Sequence, residues 1–239
     1  MWSREEDMRH DFYRPAASAR MRGAVKDGTA VLFDGKIAAP SVTRQAMKRL
    51  AGFAPGGPDA AHMHGALNQP YAIPNYRISG HLADVAVPVG FWRSVGNSFN
   101  GFFHESFIDE LAHAANADPL QFRIDLIAPN SAPCATLLEA VRVMSGWSGK
   151  TPDGIGRGVA FTWSFGTPVA EVIEVADSED GIQITRAWIA CDVGTALDPQ
   201  NIRAQMEGGM IYGLSAAVHG EISFEDGEVQ EENFPDYDA

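Results

Sequence analysis

The sequence predicts an α+β protein built from two units, residues 1–150 and 151–239. Three observations carry the prediction. Apolar residues recur at helical spacing between residues 99 and 145, strand-like segments take over after Gly154, and a Gly/Pro-containing stretch at 149–154 (GKTPDG) separates the two. A chain of 239 residues removes roughly 70–75% of its extended-chain surface from water on folding. Its hydrophobic content of 45% is then enough for a core without cross-links.

In the first unit, Ala30-Val31-Leu32-Phe33 and Lys36-Ile37-Ala38 flank Asp34-Gly35, a hairpin signal. Pro55-Gly56-Gly57-Pro58 holds neither helix nor strand, so residues 51–65 are the expected flexible segment. Residues 71–89 are rich in β-branched and aromatic side chains, and Pro74 and Pro88 point to strands at a sheet edge. Residues 99–115 read as a helix. Phe103, Phe107, Leu111 and Ala114 form its stripe, and Phe102, Ile108 and Ala112 widen it. Asp118 as N-cap and Pro119 at the first helical position open a second helix; a third starts near Ala135 and stops at Gly146.

In the second unit, residues 159–163 form a strand, and residues 169–176 alternate Val172, Ile173 and Val175 with Glu171 and Glu174. The turn Asp180-Gly181 leads into a strand over 182–193. Asp198 caps a long helix in which Ile202, Met206, Met210, Leu214 and Val218 mark one face. Asp226-Gly227 closes a last hairpin.

Lys and Arg number 18 against 31 Asp and Glu, a formal charge of −13. Such a surface repels phosphate backbones and anionic lipid, so neither nucleic acid nor a membrane surface is an expected partner. No stretch reaches the ~18 apolar residues of a membrane span, and the charged N-terminus shows no secretion signal, which leaves localisation open. Cys134 and Cys191 form no disulfide framework and no Cys-rich metal site; both are expected as buried small hydrophobes.

Isolated catalytic signals fail. His62-Met63-His64 places two imidazoles in a Gly/Pro-rich loop without the three or four fixed donors a metal needs. Glu110 and His113 lie one helical turn apart and read as a solvated pair. Gly154-Ile155-Gly156-Arg157-Gly158 lacks the Lys-Ser/Thr of a phosphate-binding loop and precedes a strand. No nucleophile elbow or zinc spacing is present.

Three stretches are more specific when taken together. The first is Trp2-Ser3-Arg4-Glu5-Glu6-Asp7 through Tyr13-Arg14-Pro15. The second is Gly90-Phe91-Trp92-Arg93-Ser94-Val95-Gly96-Asn97-Ser98-Phe99-Asn100, continuing through Glu105-Ser106-Phe107-Ile108-Asp109-Glu110-Leu111-Ala112 to Asp118-Pro119. The third is Cys191-Asp192-Val193-Gly194, then Asp198-Pro199, Ala204-Gln205-Met206-Glu207-Gly208-Gly209 and Asn233-Phe234-Pro235-Asp236-Tyr237. Order and wording resemble the large, molybdopterin-binding subunit of the xanthine dehydrogenase/aldehyde oxidase family, in its isoquinoline 1-oxidoreductase β-subunit branch. The resemblance covers essentially the whole chain.

The resemblance implies two α/β units typical of molybdenum hydroxylase molybdopterin-binding domains. It implies hydroxylation of an N-heteroaromatic carbon or an aldehyde, with water as the oxygen source. It also implies a molybdenum–molybdopterin cofactor, whose nucleotide form (cytosine or another) the residues leave open, and [2Fe–2S] centres on a separate small subunit. Because the pterin holds the metal, no direct protein ligand is expected. Arg93 matches the arginine of the family's R-x-x-G loop, and Gln205 the glutamine before Glu-Gly-Gly. Two glycines inside a helix cost roughly 1 kcal/mol each relative to Ala, so Gly208 and Gly209 suggest close approach of a bound group. Phe165-Gly166-Thr167 matches a phrase beside the pterin, with a plain strand turn as the alternative. The resemblance thus expects the arginine loop and the Gln205 helix to converge on one cavity.

The sequence departs from the family pattern. The Gly-Gly-Gly-Phe-Gly-Arg-type loop and the Met-Gly-Gln-Gly loop are missing, and the catalytic Glu is expected beyond Ala239. Asn97 stands where many relatives have His. The chain is therefore expected to be an internal piece that neither retains the cofactor nor turns over alone, and its uncovered apolar surface favours self-association. The alternative is a non-catalytic ligand- or partner-binding module on the same scaffold.

Overall fold

The computed structural model describes residues 3, 5, 6, 9, 12–179 and 181–237. Its first sheet pairs β1 (Ser18–Lys26) antiparallel with β2 (Thr29–Ala39), and β3 (Asn75–Leu82) joins β2 in parallel as an edge strand. The β1–β2 turn is Asp27-Gly28, with φ of 51° and 77°, and not the expected Asp34-Gly35. Those two residues lie inside β2. Asp34 accepts hydrogen bonds from Arg22 and Arg77 on the flanking strands, and a Cβ on Gly35 would stand 2.8 Å from Ile78 Cδ1 and from Met21 Sδ. A local turn signal is thus overruled by partners 12 and 43 residues away.

Helix α1 (Val42–Ala51), which the sequence reading did not anticipate, is capped by Ser41 and closed by Gly52 at φ 74°. The expected flexible segment is anchored in its second half. Asp59 accepts from Ser41 Oγ (2.5 Å), Thr43 Oγ1 (3.2 Å) and Ala61 N (3.0 Å), and caps a 3₁₀ turn at Ala60–Met63.

Helices α2 (Asn97–Ala114), α3 (Pro119–Ile127) and α4 (Ala132–Ser145) follow. Asp118 caps α3 through Gln121 N at 2.8 Å, and Gly146 closes α4 at φ 60°. The buried face of α2 is rotated from the expected stripe. It carries Asn100, His104, Glu105, Ile108, Leu111 and Ala112, whereas Phe102 is 69% exposed and Ala114 is on the surface.

An ion pair causes the rotation. Glu105 accepts from Arg123 Nε (2.8 Å), Tyr71 OH (2.9 Å) and Phe161 N (2.9 Å), with His104 Nδ1 at 3.0 Å. A buried carboxylate is tolerated only when paired and hydrogen-bonded, so Arg123 dictates which side of α2 faces inward. Burial pushes the Glu105 pKa up, but the charges of Arg123 and His104 and their hydrogen bonds outweigh it and hold the group at about 2.

After Gly154 the second sheet forms an antiparallel meander: β4 (Ile155–Ser164), β5 (Thr167–Ser178) and β6 (Gly181–Cys191). Asp180 of the expected turn lies outside the described residues. Asp198 caps α5 (Pro199–Val218) through Asn201 N at 3.1 Å, and Asp226-Gly227 joins β7 (Phe224–Glu225) to β8 (Glu228–Val229). A single apolar core draws on both sides of 149–154, including Phe33, Ile108, Leu120, Leu138, Phe161 and Val172. α2 touches β1 and β2 on one side and β4 on the other. Cys134 is buried as expected, whereas Cys191 is half-buried; neither forms a disulfide. No helix among the described residues is long and apolar enough to cross a membrane.

Candidate functional site

The three specific stretches meet on one surface. Trp2, Arg4, Asp7, Met8, His10 and Asp11 of the first lie outside the described residues. Its remainder runs beside residues 88–90: Tyr13 N donates to Pro88 O (3.0 Å), and Gly90 N to Tyr13 O (3.1 Å). This brings the Arg14 guanidinium to 5.8 Å from the centre of the Trp92 ring. At the other end Asn233 Nδ2 donates to Glu5 Oε1 (3.0 Å), and Tyr13 and Phe224 pack edge to face at 5.2 Å.

Arg93 and α5 meet at the centre. The exposed Arg93 guanidinium lies 5.5 Å from the Tyr212 ring centre, a cation–π arrangement. Its Nη2 is 3.5 Å from where a Cβ on Gly209 would stand. Trp92 and Tyr212 pack at 5.3 Å. Gln205 is exposed one turn before Gly209, on the same helix face, and a Cβ on Gly208 would meet nothing within 4 Å. Among the described residues neither Arg14 nor Arg93 forms an ion pair. Two guanidinium groups, a carboxamide and a glycine-lined helix face therefore share one open surface of an otherwise acidic protein. Guanidinium forks match phosphate or carboxylate oxygens, and a carboxamide both donates and accepts.

The expectation of a shared cavity meets a different shape. Arg93 and the Gln205 helix do adjoin, but on an open face. A cavity of about 530 Å³ lies elsewhere, among His113, Asp118, Gln121, Arg142, Trp147 and Lys150, and a small one of about 10 Å³ beside the arginine loop is lined by Pro15, Trp92, Val95 and Gly96.

Phe165 and Gly166 form the β4–β5 turn at φ 49° and 85°. Phe165 is 77% exposed. The turn makes no hydrogen bond or ring contact to Arg93 or α5 among the described residues. It is tied instead to residue 69, since Gln69 Oε1 accepts from Trp163 N at 3.0 Å. Asp192 N donates to Pro168 O (3.2 Å), so the chain leading to α5 starts beside Thr167-Pro168.

Other candidates fall apart. His62 is buried in the 3₁₀ turn with both ring nitrogens unpartnered, and no group of three or more His, Cys, Asp or Glu among the described residues could hold a metal. Glu110 and His113 are exposed on the outer side of α2. Arg157 of the Gly-rich stretch lies in β4 and pairs with Glu174 at 2.6 Å. Sequence reasoning missed Trp92 and Tyr212 as the stack under the arginines. The available signal was an aromatic three positions after Gly209 in a glycine-containing helix.

Comparison with known proteins bears on the family and names no residue of this surface. Two family models described as molybdopterin cofactor-binding domains match residues 1–125 and 108–239. The chain is 33% identical over 245 residues to isoquinoline 1-oxidoreductase subunit beta of Brevundimonas diminuta, covering 99% of this chain and 31% of that one. It is 29% identical over 273 residues to a protein of Gluconacetobacter polyoxogenes named membrane-bound aldehyde dehydrogenase [pyrroloquinoline-quinone], covering 98% and 34%. That name carries a different cofactor. An aldehyde oxidoreductase structure from Desulfovibrio desulfuricans superposes with a TM-score of 0.48 at 16% identity, covering 77% of this chain and 22% of that one. The chain thus spans about a third of the length of these two curated relatives. Matched over more than half of its length by each model, the chain belongs to the molybdopterin cofactor-binding domain family.

Proposed function

We propose that the chain forms one wall of the molybdopterin pocket in the catalytic subunit of a molybdenum hydroxylase. The enzyme oxidises an N-heteroaromatic carbon or an aldehyde, takes its oxygen from water, and delivers electrons to [2Fe–2S] centres on a small partner subunit. The observation that carries the reading is the meeting of Arg93 with Gly209 and Tyr212, one helical turn from Gln205.

The residues fit such a group. Arg93, without a carboxylate partner among the described residues, suits an anionic oxygen, and the Gln205 carboxamide suits an oxygen that changes protonation. Gly208 and Gly209 leave the helix backbone open to close approach. The glycine-tipped Phe165-Gly166-Thr167 turn supplies an exposed ring for a planar face. When bound, the molybdenum–pterin group supplies two-electron redox chemistry; the protein binds, orients and tunes it. The catalytic carboxylate is expected from residues other than these.

The test uses the subunit encoded by the reading frame that carries this sequence, produced with the Fe–S subunit in a host that makes the molybdenum cofactor. Molybdenum per chain is measured by mass spectrometry, and dye reduction is followed with isoquinoline, nicotinate and an aliphatic aldehyde. The expected result is near-stoichiometric metal in the wild type and at least a tenfold loss in Arg93→Ala and Gln205→Ala. Equal metal in all three proteins refutes the reading.

A further inference from the structure

The loop carrying Arg93 adopts a conformation that its own residues disfavour. Ser94 and Val95 both lie in the left-handed region, at φ 76° and 50°. A β-branched residue there is an outlier, and such conformations persist only where the surroundings over-determine them.

Those surroundings are the first turns of α2 and the 60–65 segment. Asn97 donates twice to Ser94 O, from its backbone N (3.0 Å) and from Nδ2 (3.1 Å). One turn on, Asn100 has no exposed surface and donates from Nδ2 to His62 O (2.8 Å) and His64 O (2.9 Å). Gly96 seats the same segment: a Cβ there would overlap Ala61 O and stand 3.1 Å from His64 O. Gly65, at φ 93°, packs so closely that its Cβ would stand 2.8 Å from Asn97 Cα. Asn100 therefore ties a distant backbone turn to the base of the arginine loop through both of its amide hydrogens.

We propose that Asn100 is a positioning residue for Arg93: it clamps the 60–65 segment against α2, locks Ser94-Val95 in the left-handed pair, and so aims Arg93 at Gly209 and Tyr212. The inference deepens the proposed function, and its consequence for the cofactor rests on that reading. The geometry can be tested without any cofactor.

Asn100→Asp keeps the side-chain shape and removes both donors. The 239-residue chain is labelled with 5-fluorotryptophan, and the Trp92 resonance is assigned with Trp92→Phe. In Asn100→Asp the Trp92 signal is expected to shift, and amide exchange at residues 94–98 to rise at least tenfold, while the Trp147 and Trp163 signals stay in place. A generally weakened fold would not move Trp92 alone. Unchanged Trp92 and loop exchange in the folded variant overturn the proposal. If Asn100→Asp does not fold, Gly96→Ala strains the same contact from the other side. It must then move Trp92 selectively, and failure to do so overturns the proposal. In the cofactor-loaded subunit, Asn100→Asp is expected to lose molybdenum at least fivefold. If Trp92 moves while Asn100→Asp and Arg93→Ala both keep their metal, the positioning role stands and the proposed function falls.

Discussion

Replacing Glu105 with Gln tests what holds the two sheets around one core. The carboxylate is 4% exposed and joins four segments: α2 itself, Arg123 of α3, Tyr71 and the β4 backbone at Phe161. Gln keeps the shape, removes the charge and leaves Arg123 buried without its main partner; breaking a buried pair in this way costs about 3–5 kcal/mol. The depressed pKa gives a consistent figure. A fall from an ordinary 4.5 to about 2 corresponds to about 3 kcal/mol of folded-state stabilisation. The sign follows from that direction. The folded-state pKa lies below the unfolded one, so the stabilisation is complete above about 4.5 and disappears as the pH falls toward 2. Urea unfolding of wild type and Glu105→Gln from pH 7 to pH 2.5 reads both effects. The unfolding free energies should differ by about 3 kcal/mol at pH 7 and converge at acid pH. A difference under about 1 kcal/mol at pH 7, or one that persists unchanged to pH 2.5, would refute the reasoning.

Three further outcomes separate site from scaffold. Gly208→Ala meets no atom within 4 Å, so helix propensity should stabilise the fold by up to about 1 kcal/mol; metal retention in the loaded subunit should nonetheless fall, as elemental analysis will show. Phe165→Asn places a residue that tolerates φ 49° beside Gly166. It should raise the thermal midpoint, equivalent to about 0.5–1 kcal/mol, while lowering cofactor content. Asp118→Ala removes both the α3 cap and the acceptor for Trp147 Nε1 at 2.8 Å. The expected cost is about 1–2 kcal/mol, seen in the unfolding midpoint with metal content unchanged.

What the sequence discloses depends on the distance over which each feature is decided. The caps at Asp118, Asp198 and Gly146 are settled within four residues, and each stands where the local pattern puts it. Asp34-Gly35 carries the same kind of local signal, yet Arg22 and Arg77 hold it in mid-strand from other strands. The face of α2 went astray for the same reason. Counting apolar spacing puts Phe102 on the inward stripe, and only Arg123, 18 residues on from Glu105, explains why Glu105 is buried there and Phe102 is not. Arg93, Gln205 and the paired glycines could be singled out because each sits in a contiguous motif. The Asn100 clamp joins segments far apart in the chain, and no spacing within one motif points to it; the Trp92–Tyr212 stack also joins distant segments, and only the aromatic three positions after Gly209 signals one half of it.

The same contrast separates rigid parts from adaptable ones. The inner faces of α2 and α3 are buried around a four-way carboxylate network, whereas α5 buries none of its 20 residues. Its face at Ile202, Met206, Met210 and Leu214 is only half-covered, and Ile211 is 61% exposed. Its two adjacent glycines further weaken the helix. Segments with little buried apolar contact open first, so α5 belongs to the low-stability end of this fold while Arg93 stands on a loop fixed by the high-stability end. A cofactor seated between them would gain its orientation from the arginine side and would order α5 on binding. Amide exchange on the loaded subunit should accordingly slow across residues 199–218 far more than across 119–145. Equal protection of both segments would place the glycine helix outside the bound group's reach.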